Sequence, residues 1–331
     1  MALKLRAVVV GLGSIGRRHA RLLAERANVA VEWCESSAAA LAEARQTLAE
    51  PGCVHDSFER VLQSRPDVVV LATPHAAHAP QTVAALGAGI HVLCEKPMAE
   101  TLAEAERMAQ AADASRAILA IGFHLHFHPG LVRLKELITS GALGTVHHAH
   151  CRVGSYVTLV NSKSRYQRSL AGALLLDYAH QPDILTWLLG QRPRGVYMIG
   201  AQGGRLEHQS NPNVLAVACD YEGPLLTTIH LNYLQMPERH DYEIVGDRGW
   251  ASLDLAQGSL RIGLQGDSSE QMETFSTERD PVYRAEHAAF FDAVAKQRKP
   301  ESAAGEAIVS MRIIAAALES WSTQRRIEVG G

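Results

Sequence analysis

The sequence predicts a doubly wound parallel α/β domain followed by an open-faced α+β domain, and three observations carry that prediction. Residues 1 to 121 alternate short apolar, β-branched runs with helix-like segments, the pattern of βαβ units around a buried parallel sheet. The first run, Leu5 to Val10, leads at once into Gly11-Leu12-Gly13-Ser14-Ile15-Gly16, then a helical stretch from Arg17 to Arg26, then a strand from Val29 to Trp33 that ends at Glu35. From Arg194 to about Phe275 the chain shows successive strands separated by turns such as Tyr221-Glu222-Gly223-Pro224 and Gly246-Asp247-Arg248-Gly249, which suggest antiparallel hairpins. At 331 residues the chain has room for about two domains. We read them as residues 1–122 and 123–282, with the closing helices of 283–331 packed back on the first domain.

Each part of the glycine stretch has a mechanical reason. Gly11 permits a tight turn out of the strand, Gly13 has no side chain to block a pyrophosphate, and Gly16 lets the helix approach the strand. Backbone N–H groups of the loop, Ser14 and Ile15 among them, and the positive end of the helix then face the phosphates. Glu35 lies 19 residues after Gly16 (35 − 16), near the ~20 expected for a carboxylate that accepts hydrogen bonds from a ribose diol. It repels a 2′-phosphate, and Ser36 and Ser37 rather than an arginine follow it, so NAD is expected over NADP.

The remaining elements follow in order. Ser37 to Ala49 is alanine-rich and helical, and Ser57 is placed to cap a short helix through Leu62. Asp67 to Ala72 and Ile90 to Cys94 are continuous apolar strands on either side of a helix from Ala76 to Gly89. Thr101 with Glu104 forms a capping box that opens a helix to about Ala114, and Ala117 to Ile121 closes the series. Pro129 to Ser140 is a helix stopped at Gly141. Thr145 to Val157 is mostly β-like, and His180 to Leu189 is helical. Strands then follow at Val214–Tyr221, Leu225–Tyr233, Asp241–Val245, Trp250–Leu255 and Ser259–Leu264, and helices at Tyr283 to Gln297 and Ser302 to Gln324.

Composition excludes several partner classes. Net charge is −3, which gives no basic field for nucleic acid or an anionic membrane, and no apolar run reaches the ~18 residues of a spanning helix. The N-terminal residues run straight into the first strand, so no signal peptide is expected. Five scattered cysteines with no metal-like spacing fit a reducing cytoplasm. The alternating His124, His126 and His128, and the trio His147, His148 and His150, have no acidic or thiol companions, and no metal is expected there.

Two further turns sit where ligands bind in an open α/β sheet, at the carboxyl ends of strands: Thr73-Pro74-His75 with His78, and Glu95-Lys96-Pro97. Lys96 is either a solvated surface lysine or a functional group on that rim. Farther on, Asp177, His180 and Asp183 share one face if their segment is a single helix. An aspartate bonded to a histidine tunes it for proton transfer; the other reading is a helix cap and a core histidine. Tyr156, Arg165, Tyr166 and Arg168 precede this stretch as candidates for contacts to substrate hydroxyls or a phosphate, or as a polar surface loop.

Taken together, Val8 to His19, the Thr73-Pro74-His75…His78 turn, Glu95-Lys96-Pro97 and Asp177…His180-x-x-Asp183 resemble the Gfo/Idh/MocA oxidoreductase family, in order over nearly the whole chain. The resemblance implies a Rossmann domain, a C-terminal domain on a large, mostly antiparallel open sheet, and NAD-dependent redox chemistry on a sugar, sugar acid, cyclitol or nucleotide-linked sugar. It implies that Lys96, Asp177 and His180 surround the reacting carbinol, with His180 as base, Lys96 on the substrate oxygen, and His124 among the substrate contacts. This chain departs from the family in placing the histidine three residues after Asp177 rather than four. An NAD-binding regulator on the same fold, or NAD-assisted elimination or hydrolysis of a sugar derivative, are the alternatives. The open sheet is expected to leave an apolar face uncovered and to form a homodimer or homotetramer through it.

Overall fold

The computed structural model describes residues 4–161, 166–206 and 210–330. These form two compact units, Met1–His124 with Arg279–Met311, and Leu125–Glu278 with Arg312–Gly331. The elements run β1 (Leu5–Val10), α1 (Ser14–Ala24), β2 (Val29–Cys34), α2 (Ala38–Thr47), β3 (Val54–His55), α3 (Phe58–Ser64), β4 (Val68–Leu71), α4 (His75–Gly87), β5 (His91–Glu95), α5 (Leu102–Ala114) and β6 (Leu119–Gly122). After a 3₁₀ turn at His124–Phe127 come α6 (Pro129–Thr139), β7 (Val146–Gly154), α7 (Tyr156–Asn161), a 3₁₀ turn at Tyr166–Arg168, α8 (Ala173–Asp177) and α9 (His180–Leu189). The chain continues through β8 (Gly195–Ala201), β9 (Val214–Asp220), β10 (Leu226–Asn232), β11 (Arg239–Gly246), β12 (Gly249–Asp254), β13 (Ser259–Leu264) and β14 (Gln271–Thr274) to α10 (Asp280–Lys296), α11 (Ala304–Thr323) and β15 (Ile327–Glu328).

The first unit is a six-stranded parallel sheet in the order β3-β2-β1-β4-β5-β6. Strand order reverses between β1 and β4, which opens the crevice used for ligands in such sheets. The strands are apolar on both faces because helices cover both: Ala7, Val8 and Val9 are fully buried, as are all four residues of β4. α10 completes this core by burying Phe290, Phe291 and Val294 with Val9, Leu23 and Trp33. Ser37 and Ser57 cap α2 and α3, and Thr101 with Glu104 forms the expected capping box on α5. One boundary differs in a way that matters. α1 begins at Ser14, not Arg17, because Gly13 is its cap, so Ser14, Ile15 and Gly16 are the first turn.

The second unit is a nine-stranded sheet in the order β14-β13-β12-β11-β7-β10-β9-β8-β15. Its pairs are antiparallel except β7 with β10. One face buries Cys151, Val217, Ile229, Leu231, Tyr242, Ile244 and Leu253, with α8 and α9 on its central strands. The other face is not the apolar surface expected. Around β7, β11, β12 and β13 it carries His150, Arg152, Asp241, Glu243 and Arg261, lining a cavity of about 390 Å³. Arg152 makes two hydrogen bonds to the Asp241 carboxylate at 3.1 Å. Apolar exposure on the strands lies toward the two edges, at Tyr197, Ile199 and Leu226 on one side and at Met272 of β14 on the other.

Two further expectations are corrected. Residues 172–190 are two helices, not one, with Tyr178 (φ −106°, ψ 34°) at the break. Of the closing residues placed against the first domain, 312–331 group with the second unit, where β15 pairs β8 and Arg326 binds Asp220 at 2.6 Å.

Candidate functional site

The glycine loop lies between the carboxyl end of β1 and α1. Gly11 has φ +86°, and a Cβ there would stand 2.7 Å from the Ala72 carbonyl oxygen, so both conformation and space require glycine. A Cβ on Gly16 would stand 1.8 Å from the Gly11 carbonyl oxygen. Gly13 is different: a Cβ there meets nothing within 4 Å. Its missing side chain leaves open space above the loop at the start of α1, where the unsatisfied N–H groups of a first helical turn favour an anion. Glu35, just past β2, accepts hydrogen bonds from the N–H groups of Leu12 and Ser37, each at 2.8 Å. The carboxylate is thereby fixed at the edge of the loop and keeps lone pairs for a diol. The glycine cradle and this carboxylate fit a dinucleotide whose ribose carries no 2′-phosphate.

The next two turns form a supported rim. Pro74 precedes α4 and His75 begins it; burial and then the neighbouring His78 push His75 down to about 3. Thr73 donates its hydroxyl to Gln81 at 2.7 Å. His78 was expected to touch the dinucleotide, but it is fully buried and its ring lies between two carbonyl oxygens, of Pro97 at 2.9 Å and of Thr73 at 3.0 Å. It clips the two rim turns together. Glu95 is likewise turned inward: it is 7% exposed and its Oε1 lies 2.8 Å from His19 Nε2. Burial works against the ionised Glu95 carboxyl, but hydrogen bonding to His19 and the nearby Lys96 hold it down at about 2. It accepts from the backbone N–H of Lys96 at 3.2 Å, so it supports the lysine from below. Lys96 is half-buried. His124 is buried and stacks on Tyr283 with 4.4 Å between ring centroids; burial pushes it down to about 3, so its ring stays neutral.

In the second unit, Asp177 ends α8 and His180 begins α9, so they do not share a helix face. Asp177 accepts hydrogen bonds from the hydroxyls of Tyr166 and Tyr233 and from Gln167 Nε2 at 3.1 Å. His180 is buried, 7% exposed. The partner seen for Asp183 is His126, at 2.7 Å, and His126 stacks on Trp187. His128 caps α6 by accepting from the Gly130 N–H at 3.1 Å, so each of the three alternating histidines has its own structural task. Gly172, ahead of α8, has φ +76°, and a Cβ there would meet Leu318 at 2.2 Å. Tyr156 opens α7; Arg165 lies outside the described residues, and Arg168 is exposed. Sequence reasoning missed the roles of Gln167 and Tyr233, which bind Asp177, and of His287, which binds His19. His19 itself had a signal, its place three residues after Gly16.

Comparison with known proteins gives two family matches. The profile described as "Oxidoreductase family, NAD-binding Rossmann fold" matches residues 5–123, and "GFO/IDH/MocA C-terminal domain" matches residues 131–252. Among curated relatives, the chain is similar to "Inositol 2-dehydrogenase" of Mycolicibacterium gilvum, 28% identical over 313 residues, covering 88% of this chain and 83% of that one. It is also similar to "2,7-anhydro-N-acetylneuraminate hydratase" of Escherichia coli, 26% identical over 268 residues, covering 78% and 70%. Its fold matches the solved structure "Levoglucosan dehydrogenase, complex with NADH and levoglucosan" with a TM-score of 0.89, at 19% identity over 99% of this chain and 100% of the other.

Proposed function

We propose that this chain, which belongs to the Gfo/Idh/MocA family of NAD-binding oxidoreductases, is a dehydrogenase of a secondary hydroxyl on a sugar, sugar acid, cyclitol or nucleotide-linked sugar. The observation that carries the reading is the open cradle at Gly13 beside a fixed Glu35 carboxylate. The relatives named for inositol and levoglucosan support the substrate class.

Bound NAD supplies the hydride acceptor. In this reading the protein's own groups do the rest. Lys96 holds the substrate oxygen and stabilises the charge that develops on it. His180 takes the hydroxyl proton as general base. Asp177, held by Tyr166, Gln167 and Tyr233, orients the substrate. We further infer a homodimer or homotetramer, supported by the uncovered face of the large sheet. A cytoplasmic location is supported by five cysteines that are all free thiols. Among the described residues no helix is long and apolar enough to cross a membrane.

A panel of sugars, sugar acids and cyclitols, scored for absorbance at the reduced-nicotinamide band, tests the reading. At least one should reduce NAD, and NADP should bind more weakly than NAD. A panel that is silent throughout, or tighter NADP binding, would count against it. The relative named as a hydratase favours a second reading, an elimination in which NAD is reduced and reoxidised within one cycle. Protein that purifies already holding NADH would support that alternative.

A further inference from the structure

The first turn of α9 is fastened on two sides by hydrogen bonds that apolar packing does not require. Gln181, 1% exposed, meets the covered face of the nine-stranded sheet at β7 and β11. Its Oε1 accepts from the hydroxyl of Tyr242 at 2.5 Å and from the thiol of Cys151 at 3.1 Å. Tyr242 and Cys151 are partners across those two strands, and both are fully buried. Both lone pairs of the amide oxygen are thereby used. His240 closes the cluster, with Nε2 3.1 Å from the Tyr242 hydroxyl and 3.4 Å from Gln181 Nε2. Burial, then the nearby His128, push His240 down to about 4, and burial raises Tyr242 and Cys151, so the cluster is uncharged. Two residues along the helix, Asp183 Oδ2 lies 2.7 Å from His126 Nε2. His126 stacks on Trp187, whose other contact is Lys135 Nζ, 3.8 Å from the ring centroid.

These bonds bracket His180. An α-helix advances about 100° per residue, so Gln181 lies about 100° round the axis from His180 in one direction and Asp183 about 60° in the other. Ile184, Leu185 and Leu188 are buried farther along α9. Their contribution is non-directional, whereas hydrogen bonds fix direction as well as distance. Side chains reach about 5–6 Å from a helix axis, so a roll of about 10° carries a tip about 1 Å. A misplacement of about 1 Å costs on the order of 10²-fold in rate.

We propose that Gln181 and Tyr242 are positioning residues for the dehydrogenase reaction: their bond, opposed by that of Asp183 and His126, locks the roll of α9 and aims His180 at the substrate hydroxyl. The proposal rests on the reading of His180 as general base. Gln181 acts through His180 as its neighbour in the chain, and Tyr242 acts through Gln181. Apolar residues bury at lower cost, as Ala149, Val153 and Ile244 do on the same strands. What the amide, phenol and thiol add is a fixed direction of contact, and a general base needs it to stay within hydrogen-bond reach of its proton.

The test compares Tyr242→Phe with the double variant Tyr242→Phe/Gln181→Met in the full-length protein, with a carbinol that the wild type oxidises. Tyr242→Phe leaves a buried amide short of a donor, so melting temperature and kcat should both fall. The double variant removes both partners, a change that is nearly neutral for stability, so its melting temperature should return toward that of wild type. Its kcat should nevertheless stay down by about 10²-fold, with NADH affinity unchanged. A kcat that returns with the melting temperature marks a structural role alone and overturns the lock, as does a wild-type kcat in Tyr242→Phe. A second arm needs no substrate: the ring ¹⁵N resonances of His180 should move in Tyr242→Phe, while those of His19 in the first unit stay. Unmoved His180 resonances overturn the lock. If no carbinol reduces NAD, the dehydrogenase reading fails, and this arm alone decides whether Tyr242 sets the place of His180.

Discussion

At the scale of single residues, the proposed roles separate side chains that would meet ligands from buried ones, such as His78 and Glu95, that hold the rim turns. His180→Ala should lower turnover by roughly 10²–10⁴, the usual contribution of a positioned acid–base group, and leave NADH affinity intact, because the glycine loop and Glu35 carry binding. Lys96→Ala should lower turnover and weaken NADH as well. Cofactor titration beside steady-state rates distinguishes the two. If His180→Ala turns over at the wild-type rate, the proton acceptor lies elsewhere. Glu286 offers a prediction about stability. Neither of its carboxylate oxygens has a hydrogen-bond partner among the described residues, and burial, then the nearby Glu95, raises its pKa well above the usual value. A raised acid is neutral in the folded chain and ionised in the unfolded one, so it costs stability as pH climbs above the ordinary value near 4.5. Glu286→Gln should therefore gain melting temperature relative to wild type as pH rises from 5 to 8. A difference that shrinks over that range would contradict the assignment.

Elements show which parts of this architecture the sequence made legible. The glycine loop, the buried strands and the helix caps depend on neighbours a few residues apart, so each left a local pattern. The loop also lets two glycines be told apart. Gly13→Val should fold normally, because space is open there, yet lose NADH binding. Gly16→Ala should cost stability, about 1–3 kcal/mol as for other overpacked sites, because its Cβ would press on the Gly11 carbonyl. Thermal melts and NADH titration of both variants check this. The break between α8 and α9 had a sign that periodicity obscured. Pro182 has no N–H to give to residue 178, so a helix through 173–189 would be interrupted, whereas in the first turn of a helix starting at His180 it is tolerated. The His19–His287 bond left no such sign. Its partners are 268 positions apart, and no spacing rule reaches that far.

For the whole molecule, the open sheet was legible in its strand pattern but not in the character of its uncovered face. That face mixes Arg152, Arg261, Asp241 and Glu243 with an apolar margin at Tyr197, Ile199 and Leu226. Both signs of charge on one surface suit pairing with a second copy through a two-fold axis. Light scattering at micromolar concentration should give a dimer or tetramer, and rising salt should weaken it where charged contacts contribute; a monomer would contradict the assembly. The division of the first unit into two lengths of chain has a consequence for biosynthesis. Phe290, Phe291 and Val294 belong to its core, yet the ribosome makes them only after the 154 residues of 125–278. At 5–20 residues per second that is a delay of about 8–30 s, during which Val9, Leu23 and Trp33 lack their last covering and the nascent chain has its greatest need of a chaperone.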